Sequence, residues 1–120
     1  MSQAKFNIFH GDCCAIMRSL NQERRIINHI ITDPPYAISK KNSLHTMKKA
    51  ITGIDFGDWD RGFDVTGWLD LAYPLLAKDG SIVIFCSYRY LSQIIQKIEN
   101  LGGSVKDIMV WQKVIPCHAM

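Results

Sequence analysis

A chain of 120 residues, 48% of them hydrophobic, can pack the core of one domain and is too short for two. Its unbroken apolar runs are only a few residues long, which excludes a membrane-spanning helix, and the opening Met1-Ser2-Gln3-Ala4-Lys5 lacks the layout of a secretion signal, so a cytoplasmic protein is expected. The charge of +3, from 14 basic and 11 acidic residues, is compatible with a nucleic-acid partner without requiring one. Of the four cysteines, Cys13 and Cys14 are adjacent, and neither Cys86 nor Cys117 supplies the second pair of a zinc site; the expectation is buried free thiols and no metal.

Residues 5–10 alternate apolar and polar side chains, which predicts a short first strand. Gly11 follows as a turn and Asp12 as a helix N-cap, with Cys14, Met17 and Leu20 three apart on a narrow apolar face. The run Ile26-Ile27-Asn28-His29-Ile30-Ile31-Thr32 has the β-branched content of a strand buried on both faces. It ends in Asp33-Pro34-Pro35-Tyr36, whose prolines cannot donate to a ladder and so stop the strand.

From Ala37 to Gly62 no periodicity persists beyond a turn of helix at 45–50. A stretch of this length in a compact domain reads as a lid or binding loop. Its first half is basic (Lys40, Lys41, Lys48, Lys49); Asp64 beyond it reads as a helix cap. Trp68, Leu71, Ala72, Leu75 and Leu76 mark a helix face that Pro74 should kink or cut short, with Lys78-Asp79-Gly80 closing the helix. A buried strand over 81–87 follows, then a helix carrying Leu91, Ile94, Ile95, Ile98 and Leu101, stopped by Gly102-Gly103. A last strand spans 105–111, with Trp68 and Trp111 as core residues. The order β-α-β-loop-α-β-α-β predicts an α/β fold with about four mainly parallel strands and flanking helices. A doubly wound sheet has more strands, so the pattern reads as part of a domain.

The chemistry concentrates at Asp33-Pro34-Pro35-Tyr36. The exocyclic amino group of a base is a poor nucleophile because its lone pair is delocalised into the ring. Two acceptors on its hydrogens, the Asp33 carboxylate and the Pro34 carbonyl held by the rigid turn through Pro35, localise that pair. They help most as positive charge develops on nitrogen. Tyr36 offers a ring for stacking a base flipped out of its duplex.

Gly11-Asp12-Cys13, Ile30-Ile31-Thr32-Asp33-Pro34-Pro35-Tyr36, Trp68-Leu69, Leu76 to Phe85 and Val110-Trp111-Gln112-Lys113 stand in an order and spacing that resembles a known family. This is the amino-methylating DNA methyltransferases that use S-adenosylmethionine, in the permuted β-type order. The resemblance implies a partial Rossmann-like class I methyltransferase sheet, with residues 1–120 as the catalytic portion of that domain. It also implies a double-stranded DNA partner and methyl transfer to adenine N6, the usual product of the Asp-Pro-Pro-Tyr form. Asp33, Pro34, Pro35 and Tyr36 would be catalytic; Asp12, Cys13 and Asp33 would face the cofactor; Lys40 and Lys41 would contact phosphates.

The family's glycine-rich Phe-x-Gly-x-Gly cofactor motif does not occur here, nor does its target-recognition region. Lys113-Val114-Ile115-Pro116-Cys117-His118 stands where relatives read Lys-x-Asn-Pro-x-Pro, which suggests a frameshifted ending and a truncated enzyme. Two alternatives stay open at this point: an inactive remnant with weak nucleic-acid binding, and transfer to cytosine N4 or to RNA.

Overall fold

The computed structural model describes residues 5–37 and 62–114. The expected lid with Lys40 and Lys41, the helical turn at 45–50, and the ending with Cys117 lie outside the described residues.

Helix α1 spans Cys13–Gln22 and starts where expected: the Asp12 carboxylate accepts from the Ala15 N–H at 3.0 Å. Strand β1, Ile27–Thr32, pairs in parallel with β2, Leu76–Ile84. Between them in sequence lies the short α2, Leu69–Ala72, continued by a 3-10 turn over Tyr73–Leu75. Pro74 sits at the start of that turn, where its missing N–H costs nothing, and the α-helix goes no further. Helix α3, Leu91–Asn100, follows a second 3-10 turn at Tyr88–Tyr90. It ends as the sequence implies, with Gly102 at φ 102° and the Gly103 N–H on the Ile98 carbonyl.

One face of the β1–β2 pair carries Ile30, Ile82 and Ile84 onto a core of Trp68, Leu69, Ala72, Ile94 and Ile98. α1 joins this layer through Cys14 and Met17. The Asn21 side-chain amide also donates to the Leu71 carbonyl at 2.8 Å, tying α1 to α2. On α3, Lys97 pairs with Asp70 of α2 at 2.8 Å. This is the helix-on-sheet layering of an α/β fold, as the alternation of elements predicts.

Four expectations are corrected. Lys78-Asp79-Gly80 do not close a helix: with the helix stopped at Pro74, the chain is already extended at Leu76, and these residues form an irregular stretch of β2. There Ile27 faces Leu76, yet His29 faces Ser81. Gly80 is required for that crossing, because a Cβ on it would lie 2.6 Å from the Asn28 carbonyl oxygen.

Second, β1 and β2 are not buried on both faces. Ile31, Val83 and Phe85, which alternate with the core-facing residues, are 74%, 39% and 46% exposed. Third, residues 5–10 and 105–111 are not strands and pair with neither β1 nor β2, since a strand exists only where a ladder neighbour takes its backbone groups. Trp111 is accordingly exposed, whereas Trp68 is buried as expected. Fourth, the free thiols are not deeply buried: Cys13 is exposed, and Cys14 and Cys86 are half-buried. Among the described residues no helix is long and apolar enough to cross a membrane.

Candidate active site at the carboxyl ends of the strands

Parallel pairing brings the carboxyl ends of β1 and β2 side by side. The ladder runs one step past β2, where the Phe85 N–H donates to the Thr32 carbonyl at 3.0 Å. Asp33 and Cys86 are the residues that immediately follow that step. Open α/β sheets bind ligands at such ends, because the backbone turns away there and side chains from neighbouring strands converge.

Pro34 and Pro35 are half-buried and carry the chain out of the sheet as a rigid pair. Their turn folds Tyr36 back onto β1, so that its hydroxyl donates to Asp33 Oδ1. The consequence is electrostatic. A phenol that donates to a carboxylate cannot ionise without losing the bond, and the pKa of Tyr36 is pushed up to about 12. The Asp33 hydrogen bond is the main cause, burial and the Asp33 charge add to it, and the nearby Cys86 adds a smaller part. Burial also pushes the Cys86 thiol above its ordinary range.

The segment beyond Tyr36 is tied down as well. Ala37 takes a left-handed conformation, φ 55°, and its carbonyl accepts from the Tyr90 hydroxyl at 3.0 Å. Nothing in the sequence pointed to Tyr90, since a contact across 53 residues depends on the fold. Cys86 was within reach of reasoning, because adjacent parallel strands end together.

Asp12 and Cys13 lie at the amino end of α1, both exposed. One Asp12 oxygen serves the Ala15 N–H, so the predicted capping role is real. Ligand atoms of Asp12, Cys13 and Cys14 come within 4.8 Å of one another, but the cluster is solvated and half of its carboxylate is already used in capping. The structure thus brings Asp33, Pro34, Pro35 and Tyr36 together with Cys86. Asp12 and Cys13 stand at the start of α1.

An acid that accepts a hydrogen bond beside an aromatic ring, at the carboxyl edge of a parallel sheet, can hold an amino group in the same way. The chain is similar to known proteins in both sequence and structure. A family model described as DNA methylase, for N6 and N4 methyltransferases, matches residues 27–119. Among characterised proteins, the chain is 24% identical over 119 residues to the type II methyltransferase M2.DpnII of Streptococcus pneumoniae, covering 93% of this chain and 43% of that one. It is 25% identical over 116 residues to the type II methyltransferase M2.LlaDCHI of Lactococcus lactis subsp. cremoris, covering 91% and 42%.

Among solved structures, M1.HpyAVI in its complex with SAM superposes with a TM-score of 0.59 at 31% identity, covering 82% of this chain and 38% of that one. A second structure of M1.HpyAVI gives a TM-score of 0.56 at 28% identity with the same coverage. The chain therefore spans less than half the length of each of these relatives. With more than half of its residues inside the family match, the chain belongs to the N6/N4 DNA methylase family.

Proposed function

We propose that the chain carries the acceptor side of an adenine-N6 DNA methyltransferase, a catalytic portion working on double-stranded DNA in the cytoplasm. The observation that carries this reading is the hydrogen bond from the Tyr36 hydroxyl to the Asp33 carboxylate. It means that Asp33 already holds a neutral donor where a target amino group would bind. Exchange of the hydroxyl for the N–H of a flipped adenine keeps the carboxylate satisfied and frees the tyrosine ring to stack on the base. With the Pro34 carbonyl accepting the second amino hydrogen, the nitrogen lone pair turns out of conjugation. Both acceptors then stabilise the positive charge that builds on nitrogen, and they need no reorganisation because the double-proline turn fixes them.

Asp12 and Cys13 fit the adenine end of S-adenosylmethionine. Asp12 keeps an oxygen free of its capping bond to accept from an amino group, and the small Cys13 beside it is exposed. When bound, the cofactor supplies an electrophilic methyl group, and Asp33 belongs at the boundary where donor meets acceptor. Lys40 and Lys41, which follow the site in sequence, would take backbone phosphates.

The test is methylation of duplex DNA by the protein as its gene encodes it, with the modified base identified by mass spectrometry and S-adenosylmethionine binding titrated in parallel. N6-methyladenine that depends on Asp33 is the expected result. N4-methylcytosine would transfer the reading to the other amino base, and a methylated RNA to another substrate. Neither product nor cofactor binding would leave a remnant that at most holds nucleic acid weakly.

A further inference from the structure

The bond from the Tyr90 hydroxyl to the Ala37 carbonyl is long-range, and it falls at a backbone position that alanine rarely adopts. Left-handed φ brings the alanine Cβ against its own carbonyl, and such a residue persists only where its surroundings hold it. Tyr90 is well placed to do so. Its ring packs against the core cluster of Trp68, Leu69, Ala72, Ile94 and Ile98, and it stands directly before α3, so its hydroxyl is anchored to the rigid body. The turn that precedes it is fixed too, by the Ser87 hydroxyl accepting from the Arg89 N–H at 3.3 Å. Ala37 is the residue after Tyr36, so whatever fixes its carbonyl also fixes where the tyrosine ring and hydroxyl can point.

We propose that Tyr90 is a positioning residue for the amino-group clamp: by holding the Ala37 carbonyl it keeps the left-handed turn closed and the Tyr36 hydroxyl seated on Asp33. The inference rests on the reading of Asp33 and Tyr36 as the acceptor site. It adds that the site's geometry is set from the core, through a side chain that touches neither substrate nor reacting atoms. Within that reading, Tyr90 governs the alignment of the acceptor and leaves its chemistry to Asp33.

The experiment uses the whole chain with its tyrosines carbon-13 labelled at Cζ, whose NMR shift reports ionisation. The Tyr36 signal is identified by its loss in Tyr36→Phe. In the wild type Tyr36 remains mostly neutral at pH 10.5, because Asp33 holds its pKa at about 12. In Tyr90→Phe, which keeps the packed ring and removes only the hydroxyl, Tyr36 should become mostly ionised at the same pH, a shift of about two units to the ordinary tyrosine value. Tyr73→Phe removes another tyrosine hydroxyl and serves as the control.

A Tyr36 that stays as neutral in Tyr90→Phe as in the wild type overturns the inference. So does an equal shift in Tyr73→Phe, which would mark general loosening. A wild-type Tyr36 that titrates at the ordinary value removes the Asp33 pair itself, and both readings fall. Because no DNA or cofactor is in the sample, failure of methyl transfer cannot be mistaken for failure of the positioning role.

Discussion

Asp12 and Asp33 are both carboxylates at the junction of a loop with a regular element, and both accept a hydrogen bond, but from donors of different kinds. Asp12 takes the Ala15 backbone N–H, which cannot leave without unwinding the first turn of α1. Asp33 takes the Tyr36 hydroxyl, which leaves by rotation of one side chain. A backbone donor makes an acid part of the scaffold. A side-chain donor keeps it satisfied while empty and available when a ligand brings a donor of its own. Both acids are exposed and chemically alike, so what distinguishes them is the kind of partner: a backbone donor at Asp12 and a side-chain donor at Asp33.

The largest effect that would break this comparison is in rate. Asp33→Ala should lower methyl transfer by about 10²–10³-fold, the usual cost of removing one fixed electrostatic partner of a transition state, while the chain still folds. Transfer at the wild-type rate would remove Asp33 from its role.

The same pair has an alkaline signature. The Tyr36 pKa stands at about 12 in the fold against an ordinary 10, so the folded state favours the neutral phenol. The stability this contributes is whole below the unfolded pKa near 10 and is lost as pH rises through about 12. Urea unfolding at pH 9 and pH 11 should therefore show the gap between the wild type and Asp33→Ala shrinking toward the higher pH.

The local geometry of the candidate site was more legible in the sequence than the sheet that carries it. Two prolines after an apolar run fix a strand end by local chemistry, and Asp12 before α1 is a local capping signal, so both survive into the structure. The faces of the strands are set by what lies across from them. Ile30 and Ile31 read alike in the sequence, yet Ile30 packs on the core and Ile31 is 74% exposed, because among the described residues the helices cover the Ile30 side of the β1–β2 pair. Residues 5–10 and 105–111 have strand-like patterns, but a pattern supplies no ladder partner. Lys78-Asp79-Gly80 read as a helix end because a basic turn followed by glycine is ambiguous; the close approach of Gly80 to the Asn28 carbonyl is a tertiary fact. Tyr90 on Ala37 left no sequence signal at all.

Asp64 extends the comparison to a third acid, and it behaves like Asp12. Its Oδ1 accepts from the Gly67 N–H at 2.9 Å and the Thr66 N–H at 3.1 Å, fixing the turn that leads into α2. These two backbone bonds, Gly67 first, hold its pKa below the ordinary 3.8. Asp64→Ala should cost about 1 kcal/mol at neutral pH, as loss of a cap does, and have no effect on base selectivity. Since the folded pKa is lowered, that contribution is present above the unfolded value near 3.8 and is lost as pH falls through the folded one. The difference between wild type and variant, followed by thermal melts from pH 7 to pH 3, should close on the acid side, opposite to Tyr36.

The smallest expected effect on stability is also the sharpest test of the division between scaffold and site. Asparagine caps a helix about as well as aspartate, so Asp12→Asn should change stability by no more than a few tenths of a kcal/mol, where Asp12→Ala costs about 1 kcal/mol. The side-chain carbonyl of the asparagine can take over the Ala15 N–H, and its amide then presents hydrogens outward where aspartate presented a second oxygen. If Asp12 also accepts from the cofactor's adenine amino group, donor meets donor, and S-adenosylmethionine binding measured by equilibrium dialysis should weaken by about tenfold, the cost of a lost bond to a charged acceptor. If affinity is unchanged while Asp12→Ala lowers the melting temperature, Asp12 is a cap alone. The cofactor's adenine end must then be held by other residues, and the contrast between a structural Asp12 and a functional Asp33 becomes complete.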